Sequence, residues 1–316
     1  MPHPAVFIRY GMLLLWALTA VPAWGADAST LVIDPQKQWQ YAELLFEEGR
    51  FRQAAEEYER FAFFFPQHPD RRKAVLMAGR AFMRAGEALA ALQDFNSLVQ
   101  NGALDDIAVE AYFLMAETYL QLQNPSQAIL QLNNLITLSE QAPVKDRAYL
   151  RIGWIHVEQM DWSGAKQAWK RISPQGRQTF RIDSLETALG QADQLPMKRP
   201  AVAGLLSVVP GAGQLYCGRY EDALAALLVN GGLIWAAYES FDNDLNGLGS
   251  LLAVAGLGFY TANIYGAVSS AHKYNQTQRQ RFVEQLKRNV VIRIEPESAP
   301  SGVSADALVI RWVWVY

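Results

Sequence analysis

One cysteine, Cys217, stands among 316 residues, which excludes an intramolecular disulfide and any multi-cysteine metal site. Histidine is nearly as scarce, at four residues. His156 lies on an apolar stripe with no second histidine or carboxylate at metal-ligand spacing, so it reads as a packed residue. Base is not in excess: the formal net charge is −3, and nothing points to nucleic acid. No nucleophile, base and orienting residue occur together, and no carboxylate pair stands isolated in an apolar setting. The glycine cluster near residue 211 lacks the lysine that phosphate-cradling loops require. These absences disfavour an enzyme, and neither cofactor nor metal is expected.

What the chain does have is a period of 37 residues across residues 35–176. Stepping by that interval from Ala54 reaches Ala91, Ala128 and Ala165, and stepping from Ala42 reaches Gly79, Ala116 and Gly153. Large apolar columns run alongside, through Tyr58, Phe95, Leu132 and Trp169, and through Phe61, Leu98, Leu135 and Ile172. Each unit therefore reads as two helices in close contact at small residues, separated by a turn. Such periods indicate a helical solenoid, in which each unit buries its apolar face against the next. Binding is the first expectation for that architecture.

The turn positions carry Gly49, Gly86, Asn124-Pro125 and Asp161-Trp162-Ser163-Gly164, and Pro66 ends the second helix of the first unit. The pattern Ala42, Leu45, Gly49, Phe51, Ala54, Tyr58 and Pro66 resembles a slightly lengthened tetratricopeptide repeat. It is specific in the first two units and looser in the last two, where Gln123 and Met160 replace the turn glycine. The resemblance implies a right-handed superhelix whose groove holds a peptide or partner protein. Residues 177–195, with Phe180, Leu185 and Leu189, supply the capping helix such stacks need, so the solenoid is expected over residues 35–195. If the first helices line the groove, Glu43, Glu47, Arg80, Arg84, Glu117, Gln121, Trp154 and Glu158 face it. That surface is mixed in charge, and a solvated face without a ligand is the competing reading. Trp154 is the best single anchor, with burial against the capping helix as its alternative.

Residues 1–25 contain Arg9, an apolar run and then Pro22-Ala23-Trp24-Gly25, the pattern of a secretory signal peptide cleaved near Gly25. An uncleaved anchor is the alternative, disfavoured by the short apolar run.

After Pro200 the composition shifts, and residues 200–271 read as a transmembrane helical module. Apolar stretches run over 201–217, 223–238 and 248–271. The third is long enough to cross a bilayer, the second is marginal, and the first is broken at Pro210-Gly211-Ala212-Gly213. The string Pro210, Gly211, Gly213, Gln214, Tyr216, Gly218 and Arg219, followed by a helical pair, resembles small two-helix transmembrane domains of bacterial envelope proteins of unknown role. Asn230 and Asn263 are the intramembrane polar residues. They either hydrogen-bond between spans or, with Gln214, line a polar path.

The loop at 239–246 carries Glu239, Asp242 and Asp244 without base, whereas Lys273, Arg279, Arg281, Lys287 and Arg288 follow the third stretch. The positive-inside rule turns the loop outward and the tail inward. Exported repeats then require the first stretch to span completely; if it is only re-entrant, the repeats share the side of the tail. Within residues 272–316, a basic amphipathic helix over 272–288 is expected along the membrane surface, followed by strands at 290–294 and 307–316. The expected fold is all-α: a solenoid, a transmembrane helical module and a short C-terminal β-strand pair.

The leading functional expectation is a membrane-anchored, non-catalytic adaptor at a bacterial inner membrane, with its repeats periplasmic and gripping a protein or peptide. The alternative is a transport or lipid-handling subunit whose glycine-rich segment lines a passage. Oligomeric state is not readable from the chain.

Overall fold

The computed structural model describes residues 33–100 and 104–289. Among these, every regular element is helical and no strand occurs. The expected leader at 1–25 and the strands at 290–294 and 307–316 lie outside the described residues. The chain divides into two compact units at Gln100 and Asn101.

The first unit contains α1 (Pro35–Glu47), α2 (Phe51–Phe64), α3 (Arg71–Ala85) and α4 (Ala88–Val99), each packed on the next. α1 begins where the Asp34 carboxylate accepts from the backbone N–H groups of Gln36 and Lys37 at 2.8 and 3.1 Å. Those are donors that a helix start otherwise leaves unpaired. The second unit opens with α5 (Asp106–Gln121), α6 (Pro125–Leu138), α7 (Ala142–Glu158) and α8 (Trp162–Trp169). Asp105, Asn124 and Asp161 cap α5, α6 and α8 in the same way.

The period of the sequence is a period of burial. Ala54, Ala91, Ala128 and Ala165 are all fully buried, as are Tyr58, Phe95, Leu132 and Trp169. Gly79 and Gly153 are where the contact is closest: a Cβ at Gly79 would overlap the Phe95 ring, and one at Gly153 the Trp169 indole. The turns obey the same interval. Gly49, Gly86, Gln123 and Met160 have φ of 75°, 80°, 55° and 61°. Each is followed by a residue whose N–H reaches back to close the helix, from Arg50 to Leu45, Glu87 to Phe82, Asn124 to Tyr119 and Asp161 to His156. This is the Schellman arrangement, which needs a left-handed residue and prefers glycine. Gln123 and Met160 therefore adopt the turn glycine's backbone without its freedom.

After α8 come α9 (Pro174–Thr179), α10 (Ile182–Gly190) and a 3-10 turn (Gln191–Gln194). The buried Asp146 carboxylate of α7 accepts from the Ser173 N–H at 2.7 Å and so fixes the start of α9. Leu185 and Leu189 enter a core with Leu150, Trp154, Val157 and Trp169.

The rest of the second unit is α11 (Pro200–Leu206), α12 (Ala212–Tyr216), α13 (Tyr220–Asp242) and α14 (Asn246–Asn289). Two of these, α13 and α14, are long and apolar enough to cross a membrane. One expectation is met here in outline and one changes. The stretch at 201–217 is broken where its proline and glycines lie, into two short helices folded back at Ser207 to Gly211; α11, with seven residues, is only about 10 Å long. The 272–288 helix is not a separate surface helix. It continues α14, and Phe282, Val283 and Leu286 are buried in the core that holds Trp169 and Leu185. Its apolar face meets protein, with the Trp162 and Phe282 rings edge-on at 5.6 Å.

Candidate functional site: repeat faces and an apolar hairpin

The expected groove residues divide between the two units. In the first, Glu43 and Glu47 are exposed one turn apart on α1, and Arg84 lies over the Phe51 ring at 5.2 Å. Arg80 is half-buried beside the Met77 sulfur. Burial, and then the negative charge of Glu43 and Glu47, hold the Tyr58 phenol well above its ordinary pKa.

In the second unit, the expected residues are tied to a cation that sequence reasoning missed. Arg151 donates from Nε and Nη2 to both oxygens of Glu117, at 2.7 and 2.8 Å, and its side chain is almost wholly buried. Glu158 pairs with Lys287 Nζ at 3.0 Å and lies 3.9 Å from Arg151. Burial raises the Glu117 carboxyl's pKa, and the adjacent guanidinium offsets part of that rise. The signal for Arg151 was present: it occupies the column of Met77 and Leu114, where a charge needs a partner. Lys287 gave no such signal, because its partner is more than a hundred residues away.

Trp154 belongs to the core. It is 9% exposed, and its ring stands edge-on to Trp169 at 5.8 Å. Gln121 is exposed near the end of α5. His156 sits at the end of α7, 3.0 Å from the Asp161 carboxylate that caps α8. No group of histidine, cysteine or carboxylate side chains able to hold a metal occurs among the described residues.

The Pro210 to Arg219 string completes the fold-back after α11 and supplies α12 and its end. Gly211 has φ of 86°, and a Cβ there would strike the Ala223 backbone. Gly213 is equally tight against Ala203 and Ala267. Asn263 of α14 reads the turn directly. Its Nδ2 donates to the Ser207 carbonyl at 3.0 Å, while its Oδ1 accepts from the Gly211 N–H at 3.3 Å and from Gln214 Nε2 at 3.0 Å. Tyr260 adds a hydroxyl to the Val208 carbonyl at 2.9 Å. Polar backbone in an apolar setting is thereby satisfied by side chains. Asn230 and Asn263 are not partners: Asn230 Nδ2 donates within its own helix, to Ala226 at 2.8 Å.

Tyr216 donates no such link to the turn; its hydroxyl accepts from the Arg199 N–H at 3.2 Å. Gly218 takes φ of 78° to end α12. Arg219 donates to Ser270 Oγ at 3.1 Å and pairs with Asp222.

Beyond this lock, the α13–α14 hairpin turns apolar side chains outward. Leu228, Trp235 and Tyr238 are 65%, 73% and 71% exposed, and Leu251, Val254 and Leu257 of α14 are similarly open. Exposed apolar surface this contiguous marks an interaction face.

Residues 42–106 match the tetratricopeptide repeat family. That match covers the units in which the turn residues are glycine, and tetratricopeptide repeats generally mediate protein–protein binding. No curated protein matches the chain.

Proposed function

We propose that this chain is a membrane-anchored, non-catalytic adaptor, whose repeats hold a protein or peptide partner and whose α13–α14 hairpin sits in lipid. The observation that carries the proposal is the pairing of a tetratricopeptide match with a hairpin that exposes leucine, valine and tryptophan along its length. α13 has 23 residues, so it is about 35 Å long, enough for a hydrocarbon core of about 30 Å. The domain plan of the proposal is a leader at 1–25, repeats with their cap at 35–195, the membrane module at 200–271 and the tail at 272–316. The setting is a bacterial inner membrane. The repeats are placed outside the cytoplasm on the strength of the leader; because the end of α14 packs with that body, the basic tail goes with them and the acidic loop faces inward, the reverse of the orientation that charge alone favours. On the repeats, Glu43, Glu47, Arg84 and Gln121 are the exposed contacts for a partner.

A transport role would need Gln214, Asn230 and Asn263 to line a passage. Gln214 and Asn263 bind each other and the turn backbone, and Asn230 binds its own helix, so their amide nitrogens are committed to structure, while Gln214 Oε1 and Asn230 Oδ1 are buried without a partner.

Photo-crosslinkers at Glu47, Arg84 and Gln121 of the full chain in cells test the proposal. The expected result is one protein captured from the repeats and absent when the crosslinker is at Leu228, which should capture lipid. Capture of lipid at every position, or release of the chain from membranes by alkaline carbonate, sinks it.

A further inference from the structure

Resting on the membrane reading above, we infer that the α13–α14 hairpin crosses the bilayer with only its acidic loop on the far side. The repeat-bearing body, the α11–α12 fold-back's entry and exit, and the basic end of α14 all share the near side. There, a collar of Lys198, Arg199, Arg219 and Lys273 with Tyr216, Tyr220 and Tyr274 seats anionic lipid headgroups.

The shared side follows from contacts. α14 leaves the hairpin and enters the body without a break, burying Phe282, Val283 and Leu286 beside Trp169 and Leu185 and pairing Lys287 with Glu158. The end of α14 cannot lie across a membrane from residues it packs against. Nor does the chain cross between Leu195 and Tyr220. Asn275 exchanges two hydrogen bonds with the Lys198 backbone, both at 2.7 Å, where the chain enters. Arg219, where it exits, donates to Ser270, five residues from Asn275. Entry and exit therefore stand within about 7.5 Å of each other along α14. Between them the fold-back reaches Asn263, twelve residues up the helix, or about 18 Å in depth. It is a re-entrant segment whose exposed Leu205, Val208, Val209 and Leu215 meet lipid.

The same level is where charge and aromatic rings gather. Lys198 Nζ lies 4.6 Å from the Tyr216 ring centre and 5.6 Å from that of Tyr274. Arg199 and Lys273 are exposed, and Tyr220 is 71% exposed at the start of α13. The opposite end of α13 carries exposed Trp235 and Tyr238. Tyr220 and Tyr238 are 18 residues apart on one helix, about 27 Å, which matches the two interfaces of a bilayer. Beyond Tyr238 the last turn of α13 and the loop after it hold Glu239, Asp242 and Asp244 and no base. Glu221 and Asp222 also stand at the near rim, Asp222 paired with Arg219, so four cations there face two carboxylates while the far rim holds acid alone; the near rim complements anionic headgroups, and the far one does not.

The test uses the full chain in a Cys217→Ala background, with single cysteines at Glu140 in the body, Gln285 in the tail and Asn243 in the loop. Sealed membranes are treated with an impermeant maleimide from one side and then the other. Glu140→Cys and Gln285→Cys are expected to label from the same side and Asn243→Cys from the opposite side. Labelling of Asn243→Cys with the other two, or of Gln285→Cys opposite Glu140→Cys, overturns the inference while leaving membrane anchoring intact. Loss of the chain from carbonate-washed membranes would instead remove the anchoring itself. For the collar, the chain is reconstituted in nanodiscs of phosphatidylcholine with or without phosphatidylglycerol. The Tm is expected to rise with the anionic lipid, and Arg199→Gln with Lys273→Gln is expected to abolish that rise. An unchanged rise in the double variant, or no rise in the parent, refutes headgroup seating.

Discussion

The Trp169 indole fills the space above Gly153 that a side chain would occupy, and its Nε1 donates to the Leu150 carbonyl at 3.2 Å. α7 and α8 approach so closely because one residue is nearly absent and the other is the largest available. Gly153→Ala should therefore destabilise the second unit by about 1–3 kcal/mol, the usual range for overpacking a filled core. Gly190→Ala, where a Cβ meets nothing, should be neutral or slightly stabilising. Denaturant unfolding of the purified chain compares them.

Gln123 and Met160 hold the left-handed backbone that glycine holds at Gly49 and Gly86. Gln123→Gly and Met160→Gly are expected to stabilise the chain, each by about 0.5–1 kcal/mol. The relief of left-handed strain exceeds the added entropy of the unfolded glycine. A fall in denaturation midpoint for both would show that side-chain contacts at these positions matter more than backbone strain.

Asp94 is held up to a pKa of about 7, by burial first and by the Glu59 charge second, and its Oδ2 has no hydrogen-bond partner. The folded state therefore binds the proton more tightly than the unfolded chain. Stability from this group is greatest below its ordinary pKa near 4 and declines as pH rises to about 7, where the carboxylate must ionise in place. Asp94→Asn should flatten that decline and raise Tm at pH 8. A parent whose stability climbs steadily from pH 5 to pH 8, with the variant following it, contradicts this assignment.

Arg151 stands between two carboxylates. Arg151→Met should cost about 2 kcal/mol, below the range for a fully buried pair because Glu117 keeps partial access to water. Adding Glu117→Gln should restore part of the loss, since the stranded charge is then removed. A double-mutant cycle in urea measures the coupling.

Asn263→Ala removes the partner of Ser207, Gly211 and Gln214 at once, whereas Asn230→Leu removes a side chain bonded only to its own helix. The first should lower Tm in detergent micelles clearly, and the second should be neutral or stabilising. Each intramembrane hydrogen bond contributes of order 1 kcal/mol. Equal effects from the two would mean that Asn263 does not hold the fold-back.

The repeat was legible because it is a local, periodic pattern: columns at Ala54, Tyr58 and Phe61 state both helix spacing and burial. The turn geometry at Gln123 and Met160 was legible only through its interval, since neither residue announces a positive φ. What the sequence did not disclose depends on distant pairing. Trp154 admitted two readings, groove anchor or burial against the cap, and the choice falls to Trp169 with Leu185 and Leu189 of the cap. Phe282 and Leu286 sit four apart among charges, a pattern that suits a membrane surface and a protein core equally. Their burial beside Trp162 is decided by residues more than a hundred positions earlier. The break at Pro210-Gly211 was visible, but whether the chain resumed its direction or reversed turned on Asn263, a single amide in another helix.

One unbroken rod of 44 residues joins the greasy hairpin to Trp162 and Glu158 in the folded body. With no proline within it to act as a joint, any tilt at the hairpin end is passed undamped to the residues seated at the other end.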